Sequence, residues 1–150
     1  SALRRPELIN EIADRFGNQI LVLSIDAKRS NSVEYKYTIT TKGGQVDEHR
    51  DAFAWAKEGI ERGTGEILLN SMDQDGTTSG FDLEMISDVK EFSTVPIIAS
   101  GGAGKVEDFA DALAAGTDAL LAASVFHYGK LEISEVKNHL INRGYYLRQS

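Results

Sequence analysis

One unit recurs along this chain and constrains what it can fold into. A short apolar run stops abruptly in glycine or polar residues, and a segment with apolar residues at helical spacing follows. Four such runs end near Ile25, Asn70, Ser100 and Ser124. Strands that alternate with amphipathic helices build a parallel sheet with right-handed crossovers. The expected fold class is therefore α/β, made of parallel (βα) units. In such folds, open or closed, sites form at the carboxyl ends of strands. Four units fit half of a (βα)8 barrel or a small open sheet, and spacing alone does not choose between them.

In chain order, Pro6 to Phe16 reads as a helix with Leu8, Ile9, Ile12, Ala13 and Phe16 on one face and a stop at Gly17. Gln19 to Ile25 reads as a strand buried on both faces, ending at Asp26-Ala27-Lys28-Arg29. Ser30 to Asp47 alternates in Tyr35, Tyr37 and Ile39 and turns at Gly43-Gly44, which predicts an inserted hairpin or long loop that could serve as a lid. Asp51 to Arg62 is the next helix, with Phe53 and Trp55 expected in the core, and Glu66 to Asn70 the next strand. A polar loop follows, then a helix over Phe81 to Phe92. Val95 to Ala99 and Asp118 to Ala122 are the last strands. Val106 to Leu113 and Leu131 to Asn142 are the last long helices, and Tyr145 to Arg148 is a short extended tail.

Bulk properties exclude several functions. A formal net charge of −7 argues against nucleic acid or an anionic membrane as a general partner. The chain has no cysteine, so disulfide and thiolate chemistry are absent, which fits a cytoplasmic protein. No apolar run approaches the ~18 residues of a membrane span. Ser1 to Pro6 lacks the apolar core of a signal peptide. His49, His127 and His139 show no metal-ligand spacing, so no metal and no cofactor is expected.

Three loops carry candidate chemistry. Ser100-Gly101-Gly102-Ala103-Gly104 joins a strand to a helix, where glycines let backbone N–H groups approach an anion and the helix start adds positive potential. Its spacing is not that of a P-loop. The same residues could also be a turn that simply needs glycine. Asp75-Gly76-Thr77, with Asp82 beyond, offers an acid, a bare backbone and a hydroxyl, or else an Asp-Gly turn with Asp82 near a helix start. Ala123-Ser124 opens a short helical turn that could complete an anion seat. Asp26, at a strand end, could act as general acid or base, or pair with Lys28 or Arg29. Glu66 opens an apolar strand, either in an edge salt bridge or for a reason of its own.

Five strings in order resemble a known family. They are Ser24-Ile25-Asp26-Ala27-Lys28-Arg29, Gly65-Glu66-Ile67-Leu68-Leu69, Asp73-Gln74-Asp75-Gly76-Thr77, Ile98-Ala99-Ser100-Gly101-Gly102-Ala103-Gly104 and Ala122-Ala123-Ser124-Val125-Phe126-His127. The family is the cyclase subunit of imidazole glycerol phosphate synthase (HisF). Its sister isomerase family lacks the Asp-Ala-Lys-Arg and Ala-Ser-Val-Phe-His strings. The resemblance implies the C-terminal half of a (βα)8 barrel, helix 4 plus units 5 to 8, as one domain over residues 1–150 with the insertion at about 30–47.

It also implies a lyase of histidine biosynthesis. That enzyme takes a ribulosyl aminoimidazole carboxamide nucleotide and ammonia to imidazole glycerol phosphate and an aminoimidazole carboxamide ribotide. A glutaminase partner at the amino-terminal face supplies the ammonia. By the same resemblance, Asp26 is one of two catalytic aspartates. Asp75, Gly76, Ser100, Gly101, Gly102, Ala123 and Ser124 form a phosphate site. Thr77 and Asp82 contact substrate, and Glu66 belongs to the ammonia gate. The second catalytic aspartate and second phosphate site belong to the other half of such a barrel. This half is therefore expected to need that half, or self-association, for turnover. The alternatives are a phosphate-binding half-barrel without activity and a cyclase-like paralogue with another substrate.

Overall fold

A computed structural model describes residues 2–147. Helix α1 (Glu7–Phe16) stops at Gly17, whose φ of +87° suits glycine, and a 3-10 turn (Asn18–Ile20) leads into strand β1 (Val22–Arg29). The turn takes up Gln19, expected in the strand, and β1 continues four residues beyond its expected end at Ile25. The extension has a partner that hydropathy does not show. Strand β2 (Tyr37–Thr41) runs antiparallel to it, with Asp26 opposite Thr40 and Arg29 opposite Tyr37.

Strand β3 (Val46–Asp51) completes a hairpin, so the insertion is ordered structure. Tyr35 lies before the hairpin strands rather than in them. Asp51 caps helix α2 (Ala52–Glu61) by accepting from Phe53 N at 2.8 Å, where the helix itself was expected to begin.

The remaining units are β4 (Glu66–Ser71), α3 (Leu83–Lys90), β5 (Ile97–Ser100), α4 (Val106–Ala114), β6 (Ala119–Leu121), the single turn α5 (Ser124–His127) and α6 (Ile133–Asn142). Residues 145–147 form no regular strand, and Arg148 lies outside the described residues.

The sheet order is β3-β2-β1-β4-β5-β6, with β1, β4, β5 and β6 parallel. The four-strand sheet expected from sequence thus has six strands among the described residues. The edge strand β3 is short, charged and irregularly paired with β2, features that discourage further pairing. The hairpin covers only the upper half of β1, because β2 pairs with residues 26–29 and not with 22–25.

The helices pack on one face of the parallel strands. Leu23, Ile25, Ala27, Ile67, Leu69, Ile97 and Ala99 are buried there, each large aliphatic side chain contributing on the order of 1.5–3 kcal/mol. Trp55 and Phe53 of α2 join this core, with Arg50 stacked on the Trp55 ring at 4.6 Å.

Among the described residues the opposite face is open. Val22 and Ser24 are exposed and Leu68 and Ile98 only half-buried, so β1 is not buried on both faces as its apolar run suggested. Every helix of the core lies on the other side. Apolar side chains on an uncovered sheet face are what a partial (βα) barrel presents where its interior would be.

Candidate functional site

The site begins with strand register. On the open face, Asp26 of β1 stands opposite Asn70 of β4, Asn70 opposite Ser100 of β5, and Ser100 opposite Leu121 of β6. Neighbouring strands are about 4.8 Å apart, so Asp26 and Ser100 are roughly 10 Å apart across Asn70. This row caps the carboxyl ends of the parallel strands. Asp26 is half-buried within β1, and its Oδ1 accepts from Asn70 Nδ2 at 3.3 Å.

Neither cation beside Asp26 in sequence pairs with it. Lys28 reaches Asp47 of the hairpin at 3.4 Å, and Arg29 bonds Glu84 at 2.6 Å and Asp82 at 3.4 Å. Asp47 accepts from Thr38 Oγ1 at 2.6 Å and from His49 N at 2.8 Å. The Thr38 hydroxyl, followed by the His49 N–H and Lys28, holds the Asp47 carboxyl below its ordinary range against the opposing effect of burial.

A concavity of about 410 Å³ opens beyond Ser100. It is lined by Asp75, Gly76, Ser100, Gly101, Gly102, Ala123 and Ser124, and additionally by Tyr128. All seven residues expected to form a phosphate site therefore share one cavity. Among the described residues, the backbone N–H groups of Gly76, Gly102, Ala103 and Ala123 have no protein acceptor.

The glycines of this loop also serve packing. A Cβ on Gly102 would stand 2.1 Å from Gly80 O, and one on Gly101 would stand 2.6 Å from Ser71 O. Gly80 N donates to Gly102 O at 2.8 Å, tying the β4–α3 loop to the β5–α4 loop. The two readings of the glycine string, close packing and an anion seat, are thus compatible. One expected contributor is occupied, however. Gly104 N and Lys105 N at the start of α4 both donate to the buried Asp108 carboxylate, at 2.8 and 2.9 Å. The amides that open the long helix bind its own side chain, whereas Gly76, Gly102, Ala103 and the Ala123-Ser124 turn line the cavity.

Thr77 and Asp82 do not line the cavity. Thr77 Oγ1 donates to Gln74 O at 2.8 Å and accepts from Ser79 N at 3.2 Å, shaping the loop. Asp82 is buried and caps α3 by accepting from Met85 N at 3.0 Å. Its pairing with Arg29 fastens the end of β1 to α3. Lys36 adds bonds to Glu84 at 2.6 Å and Asp88 at 2.5 Å. Hydrogen bonds from Lys36 and then Arg29 lower the Glu84 carboxyl. Between them Tyr37 is fully buried, and burial with the nearby Asp82 charge pushes its phenol up to about 12.

Glu66 stands at the amino end of β4, opposite Val22, on the same open face as Asn70. Exposed apolar residues, Phe16, Ile20 and Val22, gather at that end of the sheet. Sequence reasoning missed Tyr128, which lines the cavity, and Asn70, which stands beside Asp26 in the register row. The signal for Asn70 was the period of two along β4, which aligns Glu66, Leu68 and Asn70 on one face.

Comparison with known proteins gives one consistent result. Residues 1–132 match the family described as histidine biosynthesis protein. The chain is 55% identical over 148 residues to the imidazole glycerol phosphate synthase subunit HisF of Leifsonia xyli subsp. xyli, and 57% over 148 residues to that of Streptomyces avermitilis. It is 55% identical over 151 residues to the same subunit of Bifidobacterium longum. These alignments cover 99% of this chain but only 58% to 59% of the relatives.

Proposed function

This chain belongs to the histidine biosynthesis protein family, and from that premise we propose that it carries the C-terminal-half machinery of the HisF cyclase reaction. The substrate is a ribulosyl aminoimidazole carboxamide nucleotide, and ammonia is the second reactant. The products are imidazole glycerol phosphate and an aminoimidazole carboxamide ribotide. The observation that carries the reading is the gathering of seven expected phosphate-site residues around one cavity, whose Ser100 shares a register row with Asp26 two strands away.

The chemistry follows from that arrangement. The cavity takes one phosphate through loop amides and the Ser100 and Ser124 hydroxyls. A phosphate so held brings the attached carbon chain across Asn70 toward Asp26. Adding ammonia to a carbonyl requires the nitrogen to lose a proton and the oxygen to gain one, and ring closure moves protons again. A carboxylate within hydrogen-bond reach serves both transfers. Asp26 is that group. Ammonia enters at the opposite end of the open face, past Glu66, from a glutaminase partner seated on the amino-terminal rim where Phe16, Ile20 and Val22 are exposed.

A second reading is a phosphate-binding half-barrel with no turnover by itself. The uncovered face favours it, because the parallel strands place one carboxylate, Asp26, at their carboxyl ends there, among the described residues. On either reading turnover needs the remainder of a barrel to cover that face. No helix among the described residues is long and apolar enough to cross a membrane, and a cytoplasmic enzyme fits the proposal.

Calorimetric titration with inorganic phosphate tests the seat. Binding by the wild-type chain, abolished in Ser124→Glu with the fold intact by circular dichroism, is expected. Binding that survives a carboxylate placed in the cavity would remove the seat.

A further inference from the structure

Asn70 occupies a position whose hydrogen bonding is half used. One amide hydrogen goes to Asp26 Oδ1 at 3.3 Å, and the same nitrogen approaches Met72 Sδ at 3.4 Å. The amide oxygen is buried and has no partner among the described residues. The orientation is set by chemistry. Turning the amide over would face its oxygen toward the carboxylate, acceptor against acceptor. The amide also borders the glycine loop, since a Cβ on Gly101 would stand 3.1 Å from Asn70 Oδ1. Asn70 therefore sits between Asp26 and the wall of the phosphate cavity, in register with both Asp26 and Ser100.

We infer that Asn70 is a positioning residue for Asp26. Its NH2 group binds Oδ1 of the carboxylate, so Oδ2 is left as the oxygen that exchanges protons with substrate. A packing role alone explains neither the amide orientation nor a buried oxygen left unbonded in a row otherwise made by Asp26 and Ser100.

The inference rests on the cyclase reading, and its test separates the two. This chain is combined with the remaining barrel half, and turnover is followed with the nucleotide and ammonium. The variants are Asn70→Ala, the isosteric Asn70→Asp, Asp26→Asn and the double variant Asp26→Asn with Asn70→Ala. A hydrogen bond to a charged group corresponds to roughly 10- to 100-fold in kcat. Asn70→Ala is expected to lose that much with KM changed less than about twofold. Asn70→Asp, which keeps the shape and removes the donor, is expected to lose at least as much. The double variant is expected to be no slower than Asp26→Asn alone.

A second readout needs no turnover. In the nuclear magnetic resonance spectrum of the chain, the Asn70 side-chain amide is expected to shift and lose exchange protection in Asp26→Ala. Full activity of Asn70→Asp, additive losses in the double variant, or an Asn70 amide indifferent to Asp26→Ala would overturn the inference and leave the cyclase reading standing. Absence of wild-type turnover would overturn both.

Discussion

Replacing Gly102 by alanine tests whether the cavity wall is held by loop-on-loop packing. The added Cβ would lie 2.1 Å from Gly80 O and 2.8 Å from Gln74 Cβ, at a φ of +106°. The backbone conformation alone costs an L-residue about 1–2 kcal/mol. Overlap in a packed site adds about 1–3 kcal/mol, part of it through weakening the Gly80 N to Gly102 O bond. The sum is about 2–5 kcal/mol. Gly76 is the control, because its φ is +75° but nothing lies within 4 Å of its Cβ position. Gly76→Ala should therefore cost only the backbone part, about 1–2 kcal/mol. Equilibrium unfolding in urea measures both, and titration with inorganic phosphate on the same samples should show weaker binding for Gly102→Ala. A Gly102→Ala protein no less stable than Gly76→Ala would refute loop-on-loop packing at the cavity wall.

Two further predictions concern residues around the end of β1. Asp82→Ala removes the cap of α3 and a partly exposed ion pair with Arg29, and should lower stability by about 1–2 kcal/mol in urea unfolding while leaving phosphate binding unchanged. Tyr37 is neutral in the fold, with its phenol raised to about 12, and its hydroxyl is buried without a partner among the described residues. A group that binds its proton more tightly when folded contributes stability below its unfolded value near 10. That contribution falls as pH rises from there through about 12, roughly 2–3 kcal/mol in all. Tyr37→Phe removes this alkaline loss and, by deleting an unbonded hydroxyl, should leave neutral-pH stability equal or higher. Parallel alkaline unfolding curves for the two proteins would contradict the assignment.

Much of the fold was legible in the sequence because β4, β5, β6 and their helices announce themselves by apolar runs and glycine stops. The course of β1 was not. Asp26-Ala27-Lys28-Arg29 reads as a loop by hydropathy, yet Ala27 is fully buried and the segment pairs with β2, so a long-range partner decides it. The cavity was legible because its lining residues sit in short strings just past strand ends. Asn70 was not, since its meaning depends on register with a residue 44 positions away. Within the helix over Val106 to Leu113, Asp108 carries no signal of its own in the sequence, yet its carboxylate binds the Gly104 and Lys105 amides just before the helix. Asp82 shows the opposite outcome. The helix-start reading of its position describes its bonds.

Cyclase turnover on recombining the two barrel halves tests the central claim most directly. The chain is assayed with the nucleotide substrate and ammonium, alone and mixed with an amino-terminal half-barrel, as wild type and as Asp26→Asn. The account predicts turnover only in the mixture and its loss in Asp26→Asn. A mixture that binds phosphate through this chain but shows no turnover, or one in which Asp26→Asn retains full activity, would contradict it.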